Sequence, residues 1–225
     1  MKPLRRFYGE FALLLGLLIN ACAVAFFAKS NVGMSTLSLA SFVLNGIFPR
    51  FSYGTWNYLI QCTMMIILVA LIRKINLGFI LSFGLAILYG LLIDFCSFLI
   101  VGLPLSLAAR IAYYFIGFLG LSIGTAFLIQ CEMPILPFDT FMKEISVHFK
   151  IPYKRLRTWF DISTIIVSAA LGFWRLGSFV GIGVGTLLNA LFIGISVSAV
   201  AAHLDKRFRF VPRFEKLGNL ARRRS

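Results

Sequence analysis

The residues able to do chemistry in this chain are few, and they stand where an apolar sequence ought not to hold them. Asp94 lies deep in a hydrophobic run, and Asp161 follows Arg157 by one helical turn. Asp139 closes the interruption Glu132-Met133-Pro134-Ile135-Leu136-Pro137-Phe138-Asp139-Thr140. A carboxylate at the centre of a membrane helix costs about 2.5–3.5 kcal/mol on insertion scales, so each needs a partner or a task. Proton or sodium coupling is one such task, and holding a polar solute is another. Asp161 also admits a plainer account, an i,i+4 ion pair with Arg157. Asn20, Thr186 and Asn189 place hydrogen-bonding groups in other apolar segments, where they either line a solute site or join helices.

Proline cannot continue a helix, since it lacks the donor and clashes with the preceding turn. The Pro134/Pro137 pair therefore predicts that one helix ends near 131 and a short one begins at 138. Asp139 is expected as its N-cap, accepting from the amides of Phe141 and Met142. A weaker copy of the same event occurs at Ser30-Asn31-Val32-Gly33-Met34-Ser35-Thr36. Ser35, Thr36, Asp139 and Thr140 thus stand at the starts of short helices. The unpaired amides there favour an anionic or zwitterionic group.

The elements that must position these residues follow from hydropathy. The 225 residues are 60% hydrophobic, well above a soluble domain, with mean hydropathy +0.91. About 20 apolar residues span a bilayer core. The segments 8–29, 54–73, 78–101, 108–131, 157–175 and 178–203 meet that length. Segments 34–48 and 138–149 have a helical pattern but are too short to cross, so they are re-entrant or interfacial. The last span carries Gly181-Ile182-Gly183-Val184-Gly185, read as a close-packing surface rather than a dinucleotide fingerprint, because no strand precedes it.

The net charge of +14 would suggest nucleic acid if it formed one soluble face. Instead the basic residues sit between spans and in the tail. With the N-terminus inside, only Lys29, Arg50, Arg110 and Arg175 fall outside, so both termini are expected to be cytoplasmic. The start is read as an uncleaved first helix. The tail 205–225 mixes Arg and Lys with Phe208, Phe210 and Phe214, which suits an anionic inner leaflet. Cys22, Cys62, Cys96 and Cys131 lie singly, and His148 and His203 have no neighbour at ligand spacing. No metal, cofactor or nucleic-acid partner is expected, and no nucleophilic or acid/base constellation marks an enzyme.

An offset of 104 lays Gly16-Leu17 on Gly120-Leu121, Ser35 on Asp139 and Thr36 on Thr140. An offset of 100 lays Tyr53 on Tyr153, Gln61 on Asp161 and Leu88 on Leu188. Each unit holds three spans, an odd number, so successive copies enter the membrane from opposite sides. The expected fold is an all-α polytopic membrane protein: six transmembrane helices in two inverted three-helix repeats, each with one short helix. The units are 1–103 and 104–204, followed by the tail.

The breaks Gly33-x-Ser35-Thr36 and Pro137-Phe138-Asp139, with Gly185-Thr186-Leu187-Leu188-Asn189-Ala190-Leu191, resemble the YczE/YitT-like family of bacterial integral membrane proteins. The first copy departs from that pattern, with Met34-Ser35 at the aromatic–Asp position and Tyr89 where the repeat would place Asn. The resemblance covers about 10–203 and implies a protein of the bacterial cytoplasmic membrane. It bears on the fold more than on the activity.

The expected function is a small secondary transporter of an anionic or zwitterionic solute. Asn20, Ser35, Thr36, Asp139, Thr140, Thr186 and Asn189 are its substrate-binding candidates. Asp94, Asp139 and Asp161 are its ion-coupling candidates. Two other readings remain open: a substrate-binding membrane subunit of a larger transport complex, and an accessory protein or enzyme acting on a lipid-linked product; a homodimer is compatible with each.

Overall fold

The computed structural model of the chain describes residues 5–73, 77–131 and 136–211. Glu132 and Pro134 of the break, Lys74 and the tail from 212 lie outside the described residues. The order is β1 (Arg5–Tyr8), α1 (Gly9–Ser30), α2 (Thr36–Ile47), α3 (Tyr53–Ile72), α4 (Leu77–Ile100), α5 (Leu107–Gln130), α6 (Pro137–His148), α7 (Tyr153–Leu176), α8 (Val184–Arg207) and β2 (Phe208–Val211). Six of these helices are long and apolar enough to cross a membrane, and α2 and α6 are too short.

α1 and α5 cross at the centre of the molecule. Small residues permit the approach: a side chain at Gly16 would touch the Gly124 carbonyl, and one at Gly117 the Ala23 carbonyl, both at 3.0 Å. Lipid offers no hydrophobic drive between helices, so such close packing is what joins them. α4 lies against α1, and α8 against α5.

The two short helices have a related placement. α2 starts where the Thr36 hydroxyl meets Asp161, two turns into α7. It then follows α7, with Val43 beside Gly172 and Gly46 beside Leu176. α6 starts with Phe138 clustered on Ile60 and Met64 of α3. It follows α3 until Ile145 packs among Met65, Leu68 and Ile72. Each short helix therefore runs parallel to the second half of a spanning helix in the other half of the chain.

Three expectations need correction. α6 begins at Pro137, its N-cap is Leu136, and Asp139 is the third helical residue rather than the cap. Proline at the first position explains the shift, because its missing donor costs nothing there. The last helix begins at Val184 rather than 178, since Gly177 and Gly181 adopt left-handed conformations that end helical progress. Nor are the described elements entirely helical. β1 and β2 pair in parallel, and Phe7 packs on Phe127, Phe208 and Phe210, tying the two ends of the membrane part together on one face.

The non-helical stretches before α2 and α8 lie side by side. Met34 donates its amide to the Gly181 carbonyl at 3.0 Å, and Gly185 donates to Val32 at 3.2 Å. Gly33 sits so close to the Gly185–Thr186 backbone that any side chain would collide with it. Gly33→Ala should lower the melting temperature in detergent by about 5–10 °C, the cost of overpacking against backbone. Gly84→Ala, with nothing within 4 Å of its new carbon, should leave it unchanged or slightly raised. Equal melting points for the two variants would mean the paired breaks tolerate separation.

Candidate functional site

The starts of α2 and α6 converge on α7, and the polar residues gather there. Arg157 lies between two carboxylates, with Nη1 3.7 Å from Asp139 and Nε 3.4 Å from Asp161. The Thr36 hydroxyl donates to the other Asp161 oxygen at 2.8 Å. The guanidinium stacks on the Phe138 ring, 4.6 Å from its centre, a favourable cation–π contact. Tyr153, one turn before Arg157, lies within its electrostatic reach. Leu37 and Phe138, second residues of the two short helices, join one apolar cluster with Phe160. The first turns of two short helices thus stand beside one guanidinium and two carboxylates.

Burial pushes the Asp139 carboxyl above its ordinary value, and Arg157 draws it back down. The apolar neighbours crowd that carboxyl although 36% of the side chain stays exposed. Its proton is therefore taken up at a higher pH than an ordinary aspartate's, and protonation weakens the hold on Arg157. The Tyr89 hydroxyl of α4 lies within electrostatic reach of Asp139.

Thr36, Asp139 and Asp161 are thus brought together. Ser35 is the α2 N-cap, although its hydroxyl donates to Ser38 at 3.3 Å rather than capping the helix. Thr140 is buried beside Asp139 in the first turn of α6.

A second cluster lies where the two non-helical stretches pair. The Thr186 hydroxyl accepts from the amides of Met34 and Gly183 and donates to the Gly181 carbonyl at 3.2 Å. Tyr114 reaches from α5 to the Gly185 carbonyl at 3.0 Å and to Asn189 Oδ1 at 3.2 Å, leaving Asn189 Nδ2 buried without a partner. Thr186 is joined to the first cluster through Ser35, the one residue between Met34 and Thr36. Asn20 lies apart, in the α1–α5 crossing, where Oδ1 accepts from Thr125 at 3.4 Å.

Asp94 forms a third cluster. Its carboxylate accepts the Gly54 amide at 2.8 Å and the Ser52 hydroxyl at 2.5 Å, so α4 holds the first turn of α3. Gly54 and Gly90 cross in backbone contact just beside it. Sequence reasoning foresaw Asp94 but not its partners, the N-cap hydroxyl and a first-turn amide of α3. Tyr114 was also missed, for it reads as an ordinary aromatic until Asn189 is opposite it. Cys22 and Cys96, single in sequence, meet between α1 and α4.

A family model described as "Family of unknown function (DUF6198)" matches residues 7–202, and all three clusters fall within the match. The chain belongs to the DUF6198 family. Neither the curated proteins nor the solved structures include a match to it. The matched residues take in both short helices and all but the end of α8, while β2 lies beyond them.

Proposed function

We propose that the chain is a small secondary transporter that carries an anionic or zwitterionic solute, with proton uptake at Asp139. One observation carries this reading: two non-spanning helices begin beside one arginine held between two aspartates. Broken helices whose positive ends face a polar site are how transporters hold anionic groups inside a membrane. Arg157 supplies the charge for a solute carboxylate. Protonation of Asp139 releases part of its hold on Arg157 and so couples the proton to the solute.

In this reading the chain is two inverted repeats, 1–103 and 104–204, as in the YczE/YitT-like proteins it resembles. The reciprocal course of α2 along α7 and of α6 along α3 supports it. So does the central pairing of α1 with α5, the first helix of each unit. The termini are read as cytoplasmic from the distribution of basic residues, and the resemblance implies a bacterial cytoplasmic membrane. The units also differ: α3 packs along α4, whereas α7 and α8 do not pack over any length among the described residues. A closed first unit and an open second one are the two halves of alternating access.

The test is a thermal-shift screen of the detergent-solubilised protein against metabolites, ions and lipids. A solute at 100 times its dissociation constant stabilises the fold by about 2.7 kcal/mol. A water-soluble anion or zwitterion should bind, and more tightly as pH falls through the raised Asp139 value. Asp139→Asn should keep the fold, fix the neutral state and remove the pH dependence of that binding. Stabilisation by lipids alone, or pH dependence that survives in Asp139→Asn, would sink the proposal.

A further inference from the structure

α3 carries an unclaimed polar stripe. Tyr53, Asn57 and Gln61 stand four residues apart on one face of a spanning helix, with relative exposures of 7%, 4% and 8%. Three hydrogen-bonding groups buried in an apolar span are costly unless satisfied. They are satisfied only in part. Gln61 Nε2 donates to Asn57 Oδ1 at 2.7 Å, but Gln61 Oε1 is buried with no hydrogen bond. The Tyr53 hydroxyl lies beside Ser38 of α2 without a bond of ordinary geometry. Ser41 of α2 is likewise buried with its hydroxyl unpartnered.

The stripe repeats the charged one. Tyr53, Asn57 and Gln61 fall on Tyr153, Arg157 and Asp161 at the offset of 100, and both helices pair their second and third members through a side-chain contact. α2 packs against both α3 and α7, and α6 does the same. Phe138 and Met142 of α6 join Ile60 and Met64 of α3 to Leu156 and Phe160 of α7 in one cluster. Residues adjacent to Gln61 and residues flanking Arg157 therefore meet at the same junction of the short helices.

We infer that Asn57 and Gln61 form a neutral wall of the solute site, opposite the charged wall on α7, an inference that rests on the transporter reading. Gln61 Oε1 accepts a hydrogen bond from a donor on the solute, an ammonium, amide or hydroxyl hydrogen, while Arg157 takes the solute's acid group. The substrate class narrows accordingly, to small molecules bearing both a carboxylate and a hydrogen-bond donor. An unsatisfied buried acceptor is tolerated because the cargo satisfies it.

The test replaces Cys22, Cys62, Cys96 and Cys131 by Ala and introduces Gln61→Cys or, as a lipid-facing control, Ile66→Cys. A charged, membrane-impermeant methanethiosulfonate reagent is the probe, applied to the protein in liposomes of both orientations. Residue 61 should react at least about tenfold faster than residue 66, because a solute site is wetted during the cycle and a lipid-facing position is not. Reaction at the control rate overturns the inference. The second measurement uses the otherwise unaltered chain. Gln61→Leu combined with Asn57→Leu should melt no lower than the parent, because it removes the unpaired acceptor together with both ends of the Gln61–Asn57 hydrogen bond. A fall of several degrees would make Gln61 structural glue and overturn the inference by itself. Neither readout needs transport, so fast labelling beside a failed solute screen would discard the transporter and keep a wetted polar site.

Discussion

Arg157→Leu should abolish solute binding and lower the melting temperature by about 4–8 °C. Removing one partner of a buried ion pair costs about 3–5 kcal/mol, because the charge left behind has no compensation. Here the three side chains are 28–36% exposed, and that contact with solvent screens the loss to about 2 kcal/mol. In a chain of this size each kcal/mol is worth about 2–4 °C. The contact with Phe138 is lost too, although leucine replaces part of its packing. A triple variant separates stability from function. Adding Asp139→Asn and Asp161→Asn removes the two orphaned carboxylates, so the melting point should recover while binding stays absent. Recovery of binding in the triple variant would mean that Arg157 only neutralises its neighbours and never touches the solute. A single variant that melts like the parent would mean the cluster holds nothing together.

The spans were legible because a bilayer asks one thing of every residue in them. The expected and observed limits of α1, α3, α4 and α5 differ by a single residue at each end. The limits failed where conformation overrode hydropathy. Residues 178–183 are apolar enough to extend a span, yet left-handed Gly177 and Gly181 turn the chain before α8 starts. At α6 two start signals compete, and Pro137 at the first position prevails over Asp139 as a cap. The strands were invisible, since four residues of mixed Arg and Phe carry no period that a pairing partner across the whole chain could reveal.

The site was half legible for a related reason. Charge stands out in an apolar background, so Asp94, Asp139 and Asp161 were found, together with the break that sets Thr36. Their partners depend on which helices adjoin. Arg157 was visible only as the i,i+4 neighbour of Asp161, and the structure adds Asp139 on its other side. Asn57 escaped notice and Gln61 entered only as the repeat partner of Asp161, because neither carries a charge that demands a partner. Their spacing of four was the available signal.

The largest functional effect expected after Arg157 is a block on the cycle by a single cross-link between α7 and α8. In the first unit a side chain at Gly90 would lie 2.7 Å from the Tyr58 ring, so α3 and α4 are locked there. At the offset of 100 the equivalent positions are Thr158 and Ala190, on helices that do not pack over any length among the described residues. If the two units exchange their arrangements during transport, α7 must close onto α8 as α3 now closes onto α4. Thr158→Cys with Ala190→Cys, in the chain lacking its four native cysteines, should then form a disulfide under mild oxidation. Its yield should rise when solute or low pH drives the exchange, and solute exchange across a liposome should stop until a reductant restores it. A rigid molecule would never bring the pair together, whatever the pH. A disulfide formed at once and without effect on exchange would show that the gap between α7 and α8 closes freely and gates nothing. Reversible arrest is the one outcome that requires the second unit to adopt the closed form of the first.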